Sequence, residues 1–182
     1  MKNFKFSRLF AALMVAACLV FVGCKPEPED PGMFIPDGVR TLAETDAIVG
    51  TWVSTFGEKF EITPTEFKNS FGTSEGYKGN NVYYAEVTED SGYIYFQYTK
   101  AYCAEHSDTA NYIYTYDEDA PDVGKWYAIY YSDLTASSVK ISAAGGEKSS
   151  CETLKEVVET FTVANNYMST SAADRYSTCT KE

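Results

Sequence analysis

The chain has 182 residues, 45% hydrophobic and 23% charged, which suits one globular domain with an appended segment and excludes a disordered or collagen-like polymer. Its net charge is −11; residues 1–23 hold three of the basic side chains and no acid, so the remainder carries −14. Nucleic acid and anionic lipid surfaces both call for clustered Lys and Arg, so neither is expected as a partner of this acidic body.

Lys2, Lys5 and Arg8 precede an unbroken apolar run over residues 9–22, shorter than the ~20 residues of a spanning helix. The run ends at Phe21-Val22-Gly23-Cys24. This resembles the lipobox of bacterial lipoproteins, those of spirochaetes in particular, with Phe21 standing where Leu is usual. The resemblance implies a signal peptide over residues 1–23 and lipidation of Cys24, which becomes the acylated N-terminus and the membrane anchor. It also implies an outer-membrane destination in the cell envelope, because Lys25 is not the Asp that retains such proteins in the inner membrane. In residues 24–48, Cys24 is followed by Lys-Pro-Glu-Pro-Glu-Asp-Pro-Gly, a solvated, extended composition that reads as a flexible tether.

From residue 49 to 182 the pattern is that of short strands. Aromatic and β-branched residues alternate with polar ones and turn residues interrupt at short intervals. The alternation predicts strands over residues 51–56, 58–63, 65–70, 82–88, 93–102, 111–116, 125–132 and 138–144, with a Gly-rich loop over 72–80 and an acidic loop over 117–123. Leu154, Val157, Val158 and Phe161 then fall at helical spacing, Cys151 joins the same stripe, and Ser149-x-x-Glu152 fits a capping box. Strand 125–132 is apolar on both faces, with Trp126, Ala128 and Tyr130 on one and Tyr127, Ile129 and Tyr131 on the other. One face needs an outer cover, and the helix is predicted to supply it.

Eight antiparallel strands and one amphipathic helix predict an all-β fold, an eight-stranded up-and-down barrel with the helix on the outside. An open two-sheet sandwich would show the same alternation. Gly50-Thr51-Trp52 and Gly124-Lys-Trp-Tyr-Ala-Ile-Tyr-Tyr-Ser-Asp-Leu-Thr135 resemble lipocalin-like (calycin) domains of bacterial lipoproteins. That resemblance implies Trp52 near a closed barrel end, a basic residue packed over it for which Arg175 is a candidate, and a tail disulfide between Cys103 and Cys179. Cys151 is then a buried, inert thiol.

The single histidine, His106, excludes a His-rich zinc site and leaves little scope for a Ser-His-Asp hydrolase, so no enzyme activity is expected. Cys103, His106 and Asp108 are zinc-compatible residue types, but their irregular loop reads as a polar turn and no metal or other cofactor is expected. Asp117, Glu118, Asp119 and Asp122 lack the spacing of a calcium loop and read as a solvated turn. The interior candidates are Trp52, Tyr127, Ile129, Tyr131, Val139 and Ile141. The resemblance implies that they line a site for a small apolar or amphipathic ligand. The alternative is an adhesion or interaction module with a filled barrel, working through loops 72–80 and 117–123.

Overall fold

A computed structural model describes residues 34–169 and 176–182. The signal peptide, Cys24 and Arg175 lie outside the described residues. Ten strands form in chain order: β1 (Arg40–Thr41), β2 (Gly50–Ser54), β3 (Glu58–Ile62), β4 (Glu66–Phe71), β5 (Ser74–Thr88), β6 (Ser91–Tyr102), β7 (Tyr116–Asp117), β8 (Trp126–Ser132), β9 (Ser138–Ala143) and β10 (Ser177–Lys181). Among the described residues one α-helix forms, α1 (Leu154–Thr160), which precedes β10. Strands β2, β3, β4, β5, β6, β8, β9 and β10 pair antiparallel with their neighbours in turn, and β10 pairs back onto β2. The result is a closed eight-stranded up-and-down barrel with α1 outside it.

Three expected elements change. Residues 111–116 are not a barrel strand. They belong to an excursion between β6 and β8 that contains a 3-10 turn, Thr109–Asn111, and returns as the short strand β7 against the end of β6. Tyr112 there adopts a left-handed backbone conformation and Tyr114 faces solvent, so the tyrosine alternation decorates a loop. The eighth barrel strand is β10, five residues of the expected tail. The expected Gly-rich loop 72–80 is also mostly strand. Only a tight turn at Gly72 separates β4 from β5, and the 15-residue β5 bends at several register shifts while pairing with both β4 and β6.

Gly79 shows why glycine sits inside β5. A Cβ there would lie 2.4 Å from the Gln97 carbonyl oxygen and 2.4 Å from the Phe96 ring. Without it, Phe96 stacks on Phe67 at 4.4 Å between ring centroids. Phe60, Phe67, Ile94, Phe96, Ile129 and Ile141 are buried in the inward-facing set and form the middle of the core.

One end of the barrel is closed by the segment before β2, which was expected to be tether. Leu42 and Ile48 are buried, and Arg40–Thr41 pairs with β5. The Trp52 indole N–H donates to the Ile48 carbonyl at 2.8 Å. Lys181 Nζ lies 4.9 Å from the Trp52 ring centroid, so the described cation over this tryptophan comes from β10. Gly50, at φ +141, leaves room for the Lys181 side chain, which a Cβ would meet at 2.7 Å.

Helix α1 contacts β8 and β6 on the outside. The outer-face residues Tyr95, Trp126 and Ala128 are accordingly buried, as are Leu154, Val157 and Phe161. The helix cap is one turn later than expected. Thr153, not Ser149, accepts from the Glu156 N–H at 3.1 Å, and Glu156 accepts from the Glu152 N–H at 3.0 Å. Cys151 instead extends the sheet through two backbone bonds with Trp126.

Truncating the central ring at Phe96 removes packing on Phe67, Tyr98 and Tyr127 together. Phe96→Ala is expected to lower unfolding stability by about 3–5 kcal/mol. Urea unfolding followed by circular dichroism checks this, with the exposed Tyr114→Ala expected to stay within about 0.5 kcal/mol of the parent.

Candidate functional site

The end opposite Trp52 is where β3, β5, β8 and β10 begin. A cluster of tyrosines, called here the cup, packs there. Tyr77 from β5, Tyr98 from β6 and Tyr127 from β8 point inward at the same level. Tyr98 and Tyr127 stack at 5.0 Å, and Tyr77 meets their ring edges at 6.2 and 5.7 Å. Tyr116 of β7 leans over Tyr77 at 6.1 Å. The stacked Phe67 and Phe96 rings form the floor, with Phe67 lying 5.8 Å beneath Tyr77.

A polar set lies beside the rings. The half-buried Glu58 carboxylate accepts from Asn69 Nδ2 at 3.0 Å and from the Ser177 hydroxyl, while Ser54 Oγ accepts from the Glu58 N–H at 3.0 Å. The Tyr127 hydroxyl donates to the Ala144 carbonyl. The Tyr77 hydroxyl is buried and has no hydrogen-bond partner among the described residues. An unpaired buried hydroxyl costs roughly 1–3 kcal/mol, so this atom favours a partner from outside the described chain.

Burial pushes the Tyr77, Tyr98, Tyr127 and Tyr116 phenols above their ordinary value, and the Glu58 charge adds to this for Tyr77, Tyr127 and Tyr116. At neutral pH the cup therefore presents neutral phenols, able to donate as well as accept. Cys179, inward on β10, is pushed up to about 12 by burial and by Glu58, which makes it an unreactive thiol.

Above the cup the loops carry exposed hydrophobic side chains. Phe56 sits in the β2–β3 turn, Phe71 at the end of β4, and Tyr112, Ile113 and Tyr114 on the excursion; Phe56 and Tyr112 are each 82% exposed. The four acids after Tyr116 diverge. Asp117 meets His106 at 2.9 Å and Glu118 meets Lys78 at 3.2 Å. Burial alone would raise the Asp122 carboxyl, but hydrogen bonds from Ser149, Ser150 and Lys125 take it below its ordinary value.

Of the expected lining residues, only Tyr127 reaches the cup. Ile129, Val139 and Ile141 are buried along the middle of the barrel. Tyr131 shares a 2.8 Å hydrogen bond with Tyr84 toward the closed end, where Trp52 also lies. Glu58, Asn69, Tyr77, Tyr98 and Ser177 escaped the sequence reading. Tyr77 was hidden by its Gly-rich surroundings, and the polar three by inward positions at strand ends. Two surface clefts, of 230 and 220 Å³, lie on the β2–β5 side, are lined largely by charged and polar residues, and are smaller than a usual small-molecule pocket.

Cys103, Cys151 and Cys179 are all free thiols. The expected Cys103–Cys179 bridge is not formed, because Cys103 follows β6 whereas Cys179 sits between β2 and β9, and neither of those strands neighbours β6. Among the described residues no helix is long and apolar enough to cross a membrane.

The buried phenols dictate an alkaline response. Their raised folded-state values mean that the stability they protect is complete below the unfolded-state value near 10 and is lost as pH rises from there toward the folded values. Each such group removes about 1.4 kcal/mol per pH unit in that window. Tyrosinate absorbance should therefore rise in a cooperative step that coincides with loss of the far-ultraviolet sheet signal. A smooth titration near pH 10 with the sheet intact would contradict the burial of this cluster.

Compared with known protein families, curated proteins and solved structures, the chain matches none.

Proposed function

We propose that this chain is a lipid-anchored lipoprotein of the bacterial cell envelope whose barrel binds a small amphipathic ligand at the tyrosine cup. The membrane attachment rests on the Gly23-Cys24 motif and the apolar run before it. The binding role rests on one observation, the buried Tyr77 hydroxyl, which has no partner among the described residues and lies within a cluster of aromatic rings. Tyr98 and Tyr127, at the outer end of the aromatic stack, would offer ring surface to an apolar or planar part of a ligand. The orphan hydroxyl and Glu58 offer a donor and an acceptor to its polar part. The stacked middle of the barrel leaves the ligand near the mouth rather than deep along Ile129 and Ile141. Binding, not catalysis, suits a cup of neutral phenols with the lone histidine in the outer excursion.

A second reading, a surface interaction module with a filled barrel, draws on the exposed hydrophobic residues Phe56, Phe71, Tyr112, Ile113 and Tyr114. Its contact surface is the excursion and the β2–β3 turn, since residues 74–80 belong to a strand.

Native mass spectrometry of the full chain, isolated without denaturation, distinguishes the two. A discrete added mass lost on denaturation is the expected result. A bare chain that stays bare after exposure to palmitate, haem and oligosaccharides moves the weight to the interaction module. Tyr77→Phe adds an independent check. The free variant should be more stable than the parent by up to about 1–3 kcal/mol, because an unsatisfied hydroxyl is gone, while it retains less ligand. Unchanged ligand occupancy in that variant would remove Tyr77 from the site.

A further inference from the structure

The excursion between β6 and β8 holds a second constellation, away from the cup floor. β6 ends at Tyr102, the chain leaves at Cys103, and it returns as β7 with Asp117 opposite Ala101. The Cys103 N–H donates to the Thr115 carbonyl at 2.9 Å, which fixes the base of this hairpin. Ser107 Oγ donates to the Cys103 carbonyl at 2.6 Å and accepts from the Thr115 N–H at 2.8 Å. Thr115 Oγ1 donates to the His106 carbonyl at 2.8 Å. The backbone around Cys103 and His106 is thus tied to the returning strand at three places.

This framework brings a thiol, an imidazole and a carboxylate together. Donor atoms of Cys103, His106 and Asp117 all lie within 4.8 Å of one another, and His106 Nδ1 is 2.9 Å from Asp117 Oδ2. Cys103 is buried and His106 is exposed, so the group has a fixed inner donor and an outer one at the surface. Asp108, the carboxylate that sequence proximity favours, is engaged elsewhere, accepting from Asn111 Nδ2 at 2.7 Å and from the Asn111 N–H at 3.3 Å. Glu118 is drawn aside by Lys78.

We propose that Cys103, His106 and Asp117 form a three-ligand site for a borderline-soft divalent cation of the zinc type, with a fourth position left open. The donor chemistry decides the class. Calcium and magnesium take oxygen ligands, whereas a sulfur, nitrogen and oxygen set suits zinc and its spectroscopic substitute cobalt. Donors on a tetrahedral zinc stand roughly 3.3–3.6 Å apart, given bond lengths of about 2.0–2.3 Å. The present spacing reaches that by opening the His106–Asp117 contact slightly and drawing the thiol inward. On binding, the Cys103 thiol gives up its proton, so the thiolate and carboxylate together balance the ion's two positive charges. An open fourth position fits the exposed side at His106. The ion would pin β7 to the end of β6 and so hold Tyr116 over the cup and Tyr112–Tyr114 at the rim. This inference does not depend on the proposed ligand of the cup.

Cobalt(II) added to the reduced full chain tests it. The expected result is one equivalent bound with a thiolate-to-cobalt charge-transfer band, displaced by one equivalent of zinc. Cys103→Ser should abolish the band, and His106→Gln and Asp117→Asn should each weaken zinc binding by at least about tenfold. Asp108→Asn, Cys151→Ser and Cys179→Ser should retain both. A folded, reduced chain without the band overturns the proposal, as does a band that survives Cys103→Ser or vanishes with Cys151→Ser. Should Cys103→Ser fail to fold, the exposed His106→Gln decides the matter, because zinc affinity equal to the parent's in that variant is equally fatal to the proposal.

Discussion

Strand β10 hydrogen-bonds on both of its sides, to β9 through Ser177–Thr180 and to β2 through Cys179–Lys181, and that double pairing turns a sheet into a ring. Without it β2 and β9 would each present an unpaired row of N–H and C=O groups, on a protein whose strands are rich in tyrosine. Closure also sets what the interior can be. A ring of eight strands has room for side chains or for one small ligand. Here Phe60, Phe67 and Phe96 occupy the middle, so any ligand is confined to the ends. The same strand carries Lys181 onto Trp52 at one end and Ser177 onto Glu58 at the other, so five residues seal the barrel and finish both of its termini.

The two ends then differ for physical reasons. At the Trp52 end the indole N–H has a carbonyl partner, Tyr84 and Tyr131 satisfy each other, and the segment carrying Leu42 and Ile48 excludes water. Every polar group named there is paired. At the other end the polar groups are as many but the account does not close, since Tyr77 is left over. A buried hydroxyl without a protein partner calls for a partner from outside the chain, a water or a ligand. That asymmetry, rather than the barrel itself, directs attention to the cup, because an eight-stranded barrel serves many functions.

The barrel was legible wherever the inward residues were large. Trp126–Ser132 announces itself by being apolar on both faces, and the burial of Ala128 and Tyr95 beneath α1 follows from that pattern. The eighth strand was illegible because Ser177–Lys181 buries a single residue, Cys179, between hydroxyls and a lysine that look like any polar tail. The opposite error at residues 111–116 has the same root. Alternating tyrosines specify a face only when something covers it, and Tyr112 and Tyr114 are covered by nothing in the described chain. The site was harder still. Glu58, Asn69 and Ser177 are distant in sequence and become neighbours only through register, while glycines around Tyr77 disguised a strand that bends around a packed ring.

The excursion joins these two levels of the structure. Tyr116 and Asp117 are adjacent in β7, and on a strand adjacent side chains point to opposite sides. One of them therefore reaches Tyr77 in the cup, and the other reaches His106 and the Cys103 thiol. A two-residue strand held to β6 by a short ladder is a weak element on its own. Its position depends on what its side chains find. Lys78 holds the next residue, Glu118, from the β5 side, and the His106 pair holds Asp117 from the β6 side. Exposed ion pairs contribute little each, so these contacts leave β7 only lightly fixed. A metal ion across Cys103, His106 and Asp117 would replace the His106–Asp117 contact with three coordinate bonds, and the ring that covers the cup would be fixed by chemistry on the far side of the same strand.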